Sequence, residues 1–480
     1  MNKKTIISGS LWTSASTITT AVVQILRLSI LAHFLEKSDF GIVAILSLVL
    51  GFTNMFSEMG FSTIIMHKKD ITNKEFCSLY WAQLFVYVII YIIISLCSSF
   101  VASFFNEPGI TYLLPIAMLD IILYGIGRLY DTVLQKELKF NILAKRNILS
   151  AFISLIVAII LAYNGAGVYS LILSTIVQTI ILNIWNLIQG VKSIPLSPYF
   201  SYRLIRPLFS MGINQTGTHI LDYISTKIDV FIIGKMLGSE TLGIYNLAKE
   251  LILKGTMLIN SIINRVSIPL FAKKQDDKEA LGKNYCKLIS FISLINFPIC
   301  TIIGVLGYII VPLLYGKTYS DVIPIVYILS IWGYVNCLGN LVANIVIATG
   351  KTDISLRYTL IRLMYYLPST YILSTYNITV LAWGITFLTA LSTLLSFYMQ
   401  VYKTIHLDIM QFCNSFIRPL LLSLIIGSIG YIALNELTMN ETNMILYGLY
   451  GFIWCIIYII TIVLIEKKTF LLFLSYIKPN

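Results

Sequence analysis

Charge is what this sequence has least of. Only 12% of its 480 residues are Asp, Glu, Lys or Arg, about half of what a soluble globular chain carries. Hydrophobic residues make up 57%, and the mean hydropathy is +0.84. A single water-soluble core is thereby excluded, and the composition is that of a polytopic membrane protein. Cysteines are few and scattered: the seven (77, 97, 286, 300, 337, 413 and 455) form no CxxC pair and lie mostly inside apolar runs. They imply neither metal nor disulfide, and packing accounts for them. A basic patch is missing too. The net charge of +12 would suggest nucleic acid if the cations clustered, but Lys and Arg fall mostly in short loops between apolar spans, so nucleic acid is not an expected partner. Lys3 and Lys4 precede a first apolar run that is rich in Ser and Thr and lacks a convincing cleavage site, so that run is expected to stay as a helix.

What remains is a series of apolar spans. They sit near residues 7–33, 40–66, 78–104, 112–135, 147–163, 168–190, 207–234, 241–268, 286–314, 321–349, 356–376, 379–402, 412–435 and 443–465. The expected fold is therefore an all-α polytopic membrane protein with fourteen transmembrane helices. Of the 34 Lys and Arg, 24 fall on one side, three (Lys37, Lys235 and Lys317) on the other, and seven within spans. The positive-inside rule then puts both termini in the cytoplasm, as an even helix count requires.

Sliding the chain by 202 residues lays LAHFLEKSDFGIVA (31–44) on IGKMLGSETLGIYN (233–246), Gly41 on Gly243 and Arg27 on Asp229. Pro115 and Pro324 recur at a similar place in the fourth helix of each half. Six helices per half is an even number, so the halves are parallel repeats with a substrate path between them. The expected organisation is an N-terminal six-helix lobe (1–190), a cytoplasmic interfacial linker (191–206), a C-terminal six-helix lobe (207–402), and two extra helices with a cytoplasmic tail (403–480).

The stretch from Pro207 to Leu237 is long enough to cross a bilayer, yet it carries Asn214, Gln215, His219, Asp222, Lys227 and Asp229. An ionisable group in hydrocarbon costs at least about 2.5 kcal/mol, so these side chains are expected to face protein or a watery cavity. Thr13, Ser14, Ser16, Thr17 and Thr20 give the first helix a matching polar face at the same offset.

The run STKIDVFIIGKMLGSETLGIYNLAKELI, followed by INRVSIPLFAKKQDD, resembles the central signature of the oligosaccharide flippases of the multidrug/oligosaccharidyl-lipid/polysaccharide superfamily. The N-terminal GSLWTSASTITTAVVQILRLSILAHFLEKSDFGIVAI is similar to the start of their polysaccharide-export branch. The resemblance spans nearly the full length. It implies two six-helix lobes around a central cavity in a bacterial cytoplasmic membrane. It implies a cargo of undecaprenyl-diphosphate-linked sugar units, and partners among membrane lipids, glycosyltransferases and a polysaccharide polymerase. No cofactor is implied beyond Na⁺ or H⁺ as a coupling ion.

A diphosphate calls for cations, Arg with a planar fork and Lys with a point charge. The candidate substrate-binding residues are Arg27, Lys227, Lys249, Lys254 and Arg362. The alternatives for each are a buried ion pair or a snorkelling side chain; Glu250 and Lys254, spaced i, i+4, can pair without substrate. Arg128, one turn from Asp131, and Arg265 are expected to be structural. Arg27, Asp229, Asp222 and Glu58 are candidates for gating or coupling, with Arg27 and Asp229 as an ion pair at the outer mouth. The rival is a cation-coupled multidrug exporter, which a carboxylate pair at mid-membrane would suit; seven cations against six acids in the spans argue for the flippase. A membrane glycosyltransferase or ligase would need a sizeable outer loop, and the longest on that side, NELTMNETN, has nine residues. An enzyme is therefore not expected.

Overall fold

The computed structural model describes residues 3–465 except 59, 69, 273, 275–276 and 441–443. Among the described residues it is all helix, without a strand. Fourteen long helices carry the chain: α1 Lys3–Ala32, α2 Lys37–Glu58, α3 Asn73–Leu96, α4 Ile110–Lys136, α5 Phe140–Tyr163, α6 Val168–Gly190, α7 Tyr202–Met236, α8 Gly238–Ala272, α9 Lys278–Val305, α10 Val322–Gly339, α11 Thr352–Ser374, α12 Ile378–Ser396, α13 Ile409–Asn440 and α14 Met444–Ile465. Each expected span overlaps one of them, though several extend over a second, shorter helix. Ten helical stretches among the described residues are long and apolar enough to cross a membrane. Their outward faces hold large apolar side chains such as Phe85, Leu96, Phe387 and Leu464, each at least 65% exposed, an arrangement stable only against lipid.

Four shorter helices differ from the expected uninterrupted spans. Phe61–His67 follows a break at Gly60, Ser98–Phe105 follows α3 through Cys97, Gly307–Tyr315 follows α9 through Leu306, and Val342–Thr349 follows α10. Gly60 sits at φ 75°, a conformation that costs glycine little and any other residue more. Pro115, Pro298, Pro368 and Pro419 lie inside α4, α9, α11 and α13; neighbouring helices in a membrane bundle satisfy the backbone groups that proline frees.

The chain divides into two compact units, Met1–Asn246 and Leu247–Asn480. In the first, α1 packs on α5, α4 on α6, α5 on α6, α3 on α4, and α2 on α7. Small and polar residues line these seams: Ser150, Ser154, Ser170, Ser174 and Asn186 are all buried. Ser154 donates to the Ser174 carbonyl at 2.7 Å, and Ser174 donates within its own helix to Ser170 at 2.5 Å. This is how membrane helices pack where no hydrophobic effect drives them together. In the second unit α9 packs on α10 and α13, α10 on α12, α11 on α12, and α13 on α14. A buried hydroxyl cluster joins three of them: Thr301 shares a hydrogen bond with Tyr334 at 2.6 Å and accepts one from Tyr458 at 3.1 Å.

The linker expected to be interfacial is docked on the first unit. Trp81 Nε1 donates to the Ser197 carbonyl at 2.9 Å, Tyr130 donates to the Ile194 carbonyl at 3.2 Å, and the Ser201 amide donates to Ser78 Oγ at 3.0 Å. Phe200 and Tyr202 remain exposed, as aromatic residues at a membrane surface do. Nearby, Thr72 and Glu75 form a capping box that starts α3, and Lys68 bonds Glu75 at 2.6 Å.

α4 and α6 pack closely at Gly127, where a Cβ would lie 2.6 Å from Asn183 Cα. Gly127→Ala should therefore destabilise the first unit by about 1–3 kcal/mol. The check is a lower thermal unfolding midpoint of the purified protein, with Gly109→Ala, whose Cβ would meet only Leu113 Cδ1 at 3.9 Å, as the unaffected control.

Candidate functional site

Arg27 sits in the last two turns of α1, where the helix crosses the α5/α6 seam. Its guanidinium donates from Nη2 to the Leu171 carbonyl at 2.9 Å and to Thr175 Oγ1 at 2.8 Å, and from Nη1 to Ser154 Oγ at 3.3 Å. All three acceptors are neutral. Ser and Thr let the helices approach closely enough for a carbonyl of α6 to reach the fork, and the fork geometry holds α1 against both neighbours at once. Yet nothing in this set neutralises the positive charge.

The outer-mouth partner expected for Arg27 is engaged elsewhere. Asp229 is 4% exposed; its Oδ2 accepts from the Tyr245 hydroxyl at 2.6 Å and its Oδ1 from the Val230 amide at 2.9 Å. Contact between Arg27 and Asp229 is not among these bonds. The ends of α2 and α8 meet through their backbones instead. A Cβ on Gly41 would overlap the Ser239 carbonyl, and a Cβ on Gly243 would overlap the Lys37 carbonyl. Lys37 and Ser239, like Gly41 and Gly243, stand 202 residues apart, so the contact is reciprocal under the same offset that relates the two halves. Further along, the Tyr223 hydroxyl of α7 donates to the Leu48 carbonyl of α2 at 2.9 Å, over Gly51.

The other candidates are placed as follows. Lys227 is exposed on α7, and Asp222 is half-buried one turn before it. Lys249 is buried, with its ammonium 5.4 Å from the Trp332 ring centroid, a cation–π arrangement. Lys254 pairs with Glu250 at 3.4 Å, the i, i+4 geometry the spacing allows. Arg362 stacks on Tyr366, its guanidinium 5.0 Å from the ring centroid. The side chains of Glu58, Asn214, Gln215, His219 and Arg265 lie outside the described residues. Arg27 and Asp229 belong to the first unit and Lys249, Lys254 and Arg362 to the second.

Sequence reasoning missed Arg146, which it left in a basic loop. The residue is 7% exposed and donates from Nη2 to Asp131 Oδ1 at 2.5 Å, while Arg128 holds Asp131 Oδ2 at 3.3 Å. Gln135 completes the cluster at 2.8 Å. One acid thus carries two arginines, which fixes α4 against α5 and supports the structural role expected of Arg128. The signal available was Asp131, an acid one turn from Arg128 in an apolar span with a second arginine fifteen residues on.

A bundle of long apolar helices that pack through glycines and small polar residues defines the chain as a polytopic membrane protein. The polysaccharide biosynthesis protein family model matches residues 30–324, more than half of the chain, and the protein belongs to that family. It is 24% identical to the lipopolysaccharide biosynthesis protein WzxC of Escherichia coli K12 over 87% of this chain and 85% of that one. Among solved structures, its fold matches the lipid II flippase MurJ in an inward closed conformation, at TM-score 0.68 and 15% identity over 95% of this chain and 99% of that one. A multidrug MATE transporter in an inward-facing conformation also matches, at TM-score 0.61 and 16% identity over 81% and 95%.

The glycine contact makes a direct prediction. Ser239 is 7% exposed, so Ser239→Cys should resist a maleimide in the otherwise unchanged protein. Adding Gly41→Ala should force the α2 and α8 ends apart and raise the labelling rate severalfold. Equal rates in the two backgrounds would show that the backbones do not meet.

Proposed function

We propose that the protein is a flippase that carries undecaprenyl-diphosphate-linked oligosaccharide units across the bacterial cytoplasmic membrane for surface polysaccharide biosynthesis. The observation that carries this reading is Arg27, a charged fork held only by neutral oxygens. A buried cation satisfied by carbonyl and hydroxyl groups keeps its full electrostatic attraction for an anion, whereas one already paired with a carboxylate does not. The relative WzxC is named for lipopolysaccharide biosynthesis and the structural neighbour MurJ for flipping lipid II, which supports a lipid-linked glycan as the cargo.

In this mechanism both termini are cytoplasmic, fourteen helices cross the membrane, and residues 1–190 and 207–402 form two lobes that rock about a central path. Cargo enters from the inner leaflet with its lipid tail left in the bilayer. Arg27, Lys227, Lys249, Lys254 and Arg362 are the cations that receive the diphosphate, with Lys249 releasing Trp332 and Lys254 releasing Glu250 as phosphate competes. Asp229, Asp222 and Glu58 act in gating, where the bond between Asp229 and Tyr245 opens as the lobes move. The outer ends close where Gly41 and Gly243 pack, and an Arg27–Asp229 pair belongs to a later step of the cycle. No chemical bond is made or broken, so the protein acts as a transporter rather than an enzyme, and it works beside the glycosyltransferases and polymerase that make and use its cargo.

A multidrug exporter shares the fold, but a cationic drug would be repelled by Arg27. The two readings separate on one pair of variants. Arg27→Ala should reduce surface glycan about tenfold or more with protein still present in the membrane, and Arg27→Lys should restore only part of it because an ammonium lacks the planar fork of the guanidinium. Full surface glycan in both variants, with loss of resistance to cationic drugs, would transfer the case to the exporter.

A further inference from the structure

The linker between α6 and α7 has two faces of opposite character. Its inner face is engaged by the first unit: Ile194 and Leu196 pack on the cluster that holds Phe76, Tyr80 and Tyr130, and the Ser197 amide and hydroxyl both donate to Cys77 Sγ at 3.3 Å. Together with the bonds to Trp81, Tyr130 and Ser78, these contacts hold the segment in one shape. What it turns outward is therefore set in advance, with little left to order on binding.

The outward face is aromatic and basic. Tyr199, Phe200 and Tyr202 are exposed, Phe200 at 57%, and Lys192, Arg203 and Arg206 are exposed on the same segment. Arg203 and Arg206 stand three residues apart in the first turns of α7, a spacing that puts both on one face of the helix. Lys74 of α3 adds a fourth cation, with its ammonium 5.5 Å from the Tyr199 ring centroid.

The segment has no acid of its own, for the sequence holds neither Asp nor Glu from Leu138 to Leu221. On the connections before α3 and after α4 the acids Glu75 and Glu137 are paired, with Lys68 at 2.6 Å and Lys139 at 2.7 Å. Asp70 is the one further acid there, against four cations. Water alone would leave three large rings hydrated, and a surface without net charge would leave the cations in excess. An anionic headgroup layer answers both, because aromatic rings settle where headgroups meet acyl chains and neighbouring cations reach the phosphates.

We propose that this outward face is a docking surface for anionic phospholipid, with Lys192, Arg203 and Arg206 taking lipid phosphates of the leaflet on the linker's side and Phe200 entering the headgroup boundary between them. The start of α7 is thereby tied to that leaflet. The inference concerns the surrounding bilayer and not the cargo, so it stands or falls apart from the flippase reading.

The test is mass spectrometry of the full-length protein released from detergent micelles that hold equal amounts of phosphatidylglycerol and phosphatidylcholine of the same chain length, with the lipids retained per protein counted. The wild type should retain phosphatidylglycerol in preference. The combined variant Lys192→Gln, Arg203→Gln, Arg206→Gln should weaken that preference about fivefold or more, with an unchanged unfolding midpoint in lipid-free detergent, and Phe200→Ser should lower retention of both lipids. Raising the salt screens exposed charges without any substitution and should weaken the wild-type preference in the same way. The combined variant Lys278→Gln, Lys283→Gln, Lys287→Gln removes the same charge from exposed positions of α9 and should leave the preference in place. Equal retention of the two lipids by the wild type, or an equal loss in the α9 variant, overturns the proposal. So does displacement of phosphatidylglycerol by millimolar inorganic phosphate, which would make the face a site for free anions.

Discussion

The burial of a guanidinium among neutral oxygens is the constraint on which this structure turns. Arg27 ties α1 to both helices of the α5/α6 seam, and its three acceptors include no carboxylate. The cost of holding a cation in an apolar bundle is offset by three hydrogen bonds and by helices thin enough, through Ser and Thr, to bring their oxygens within reach.

The two arginine sites in that unit illustrate opposite uses of the same side chain. Arg146 and Arg128 share Asp131 and fix α4 to α5, and removing the acid would leave two buried charges exposed to each other. Arg27 has neutral partners, a serine, a threonine and a backbone carbonyl. Charge inventory along the chain does not separate these cases; the presence of an acid within reach does.

Much of the architecture was legible because hydropathy reports lipid contact directly. Each apolar span overlaps a helix, ten helical stretches among the described residues are long and apolar enough to cross a membrane, and the 202-residue offset that pairs Gly41 with Gly243 matches two residues whose contacts are reciprocal. The interruptions were not legible. Cys97 and Leu306 carry no turn signature, so a kink there is set by packing. Arg146 was hidden because it follows Lys145 at the start of a helix, where a basic pair looks like a loop. Asp229 was visible as a buried acid, but its bond to Tyr245, sixteen residues on and across a helix turn, has no periodic signal.

The most direct test of the account is leaflet transfer itself. Purified protein would be placed in liposomes holding a fluorescent polyprenyl-diphosphate disaccharide, and the fraction of probe quenched by a membrane-impermeant reagent followed with time. The account predicts protein-dependent loss of protection for the diphosphate-linked probe that is much slowed by Arg27→Ala, and slow transfer of a neutral-linker probe that is the same with the wild type and with Arg27→Ala. Equal transfer of the diphosphate and neutral probes, or transfer unaffected by Arg27→Ala, would contradict it.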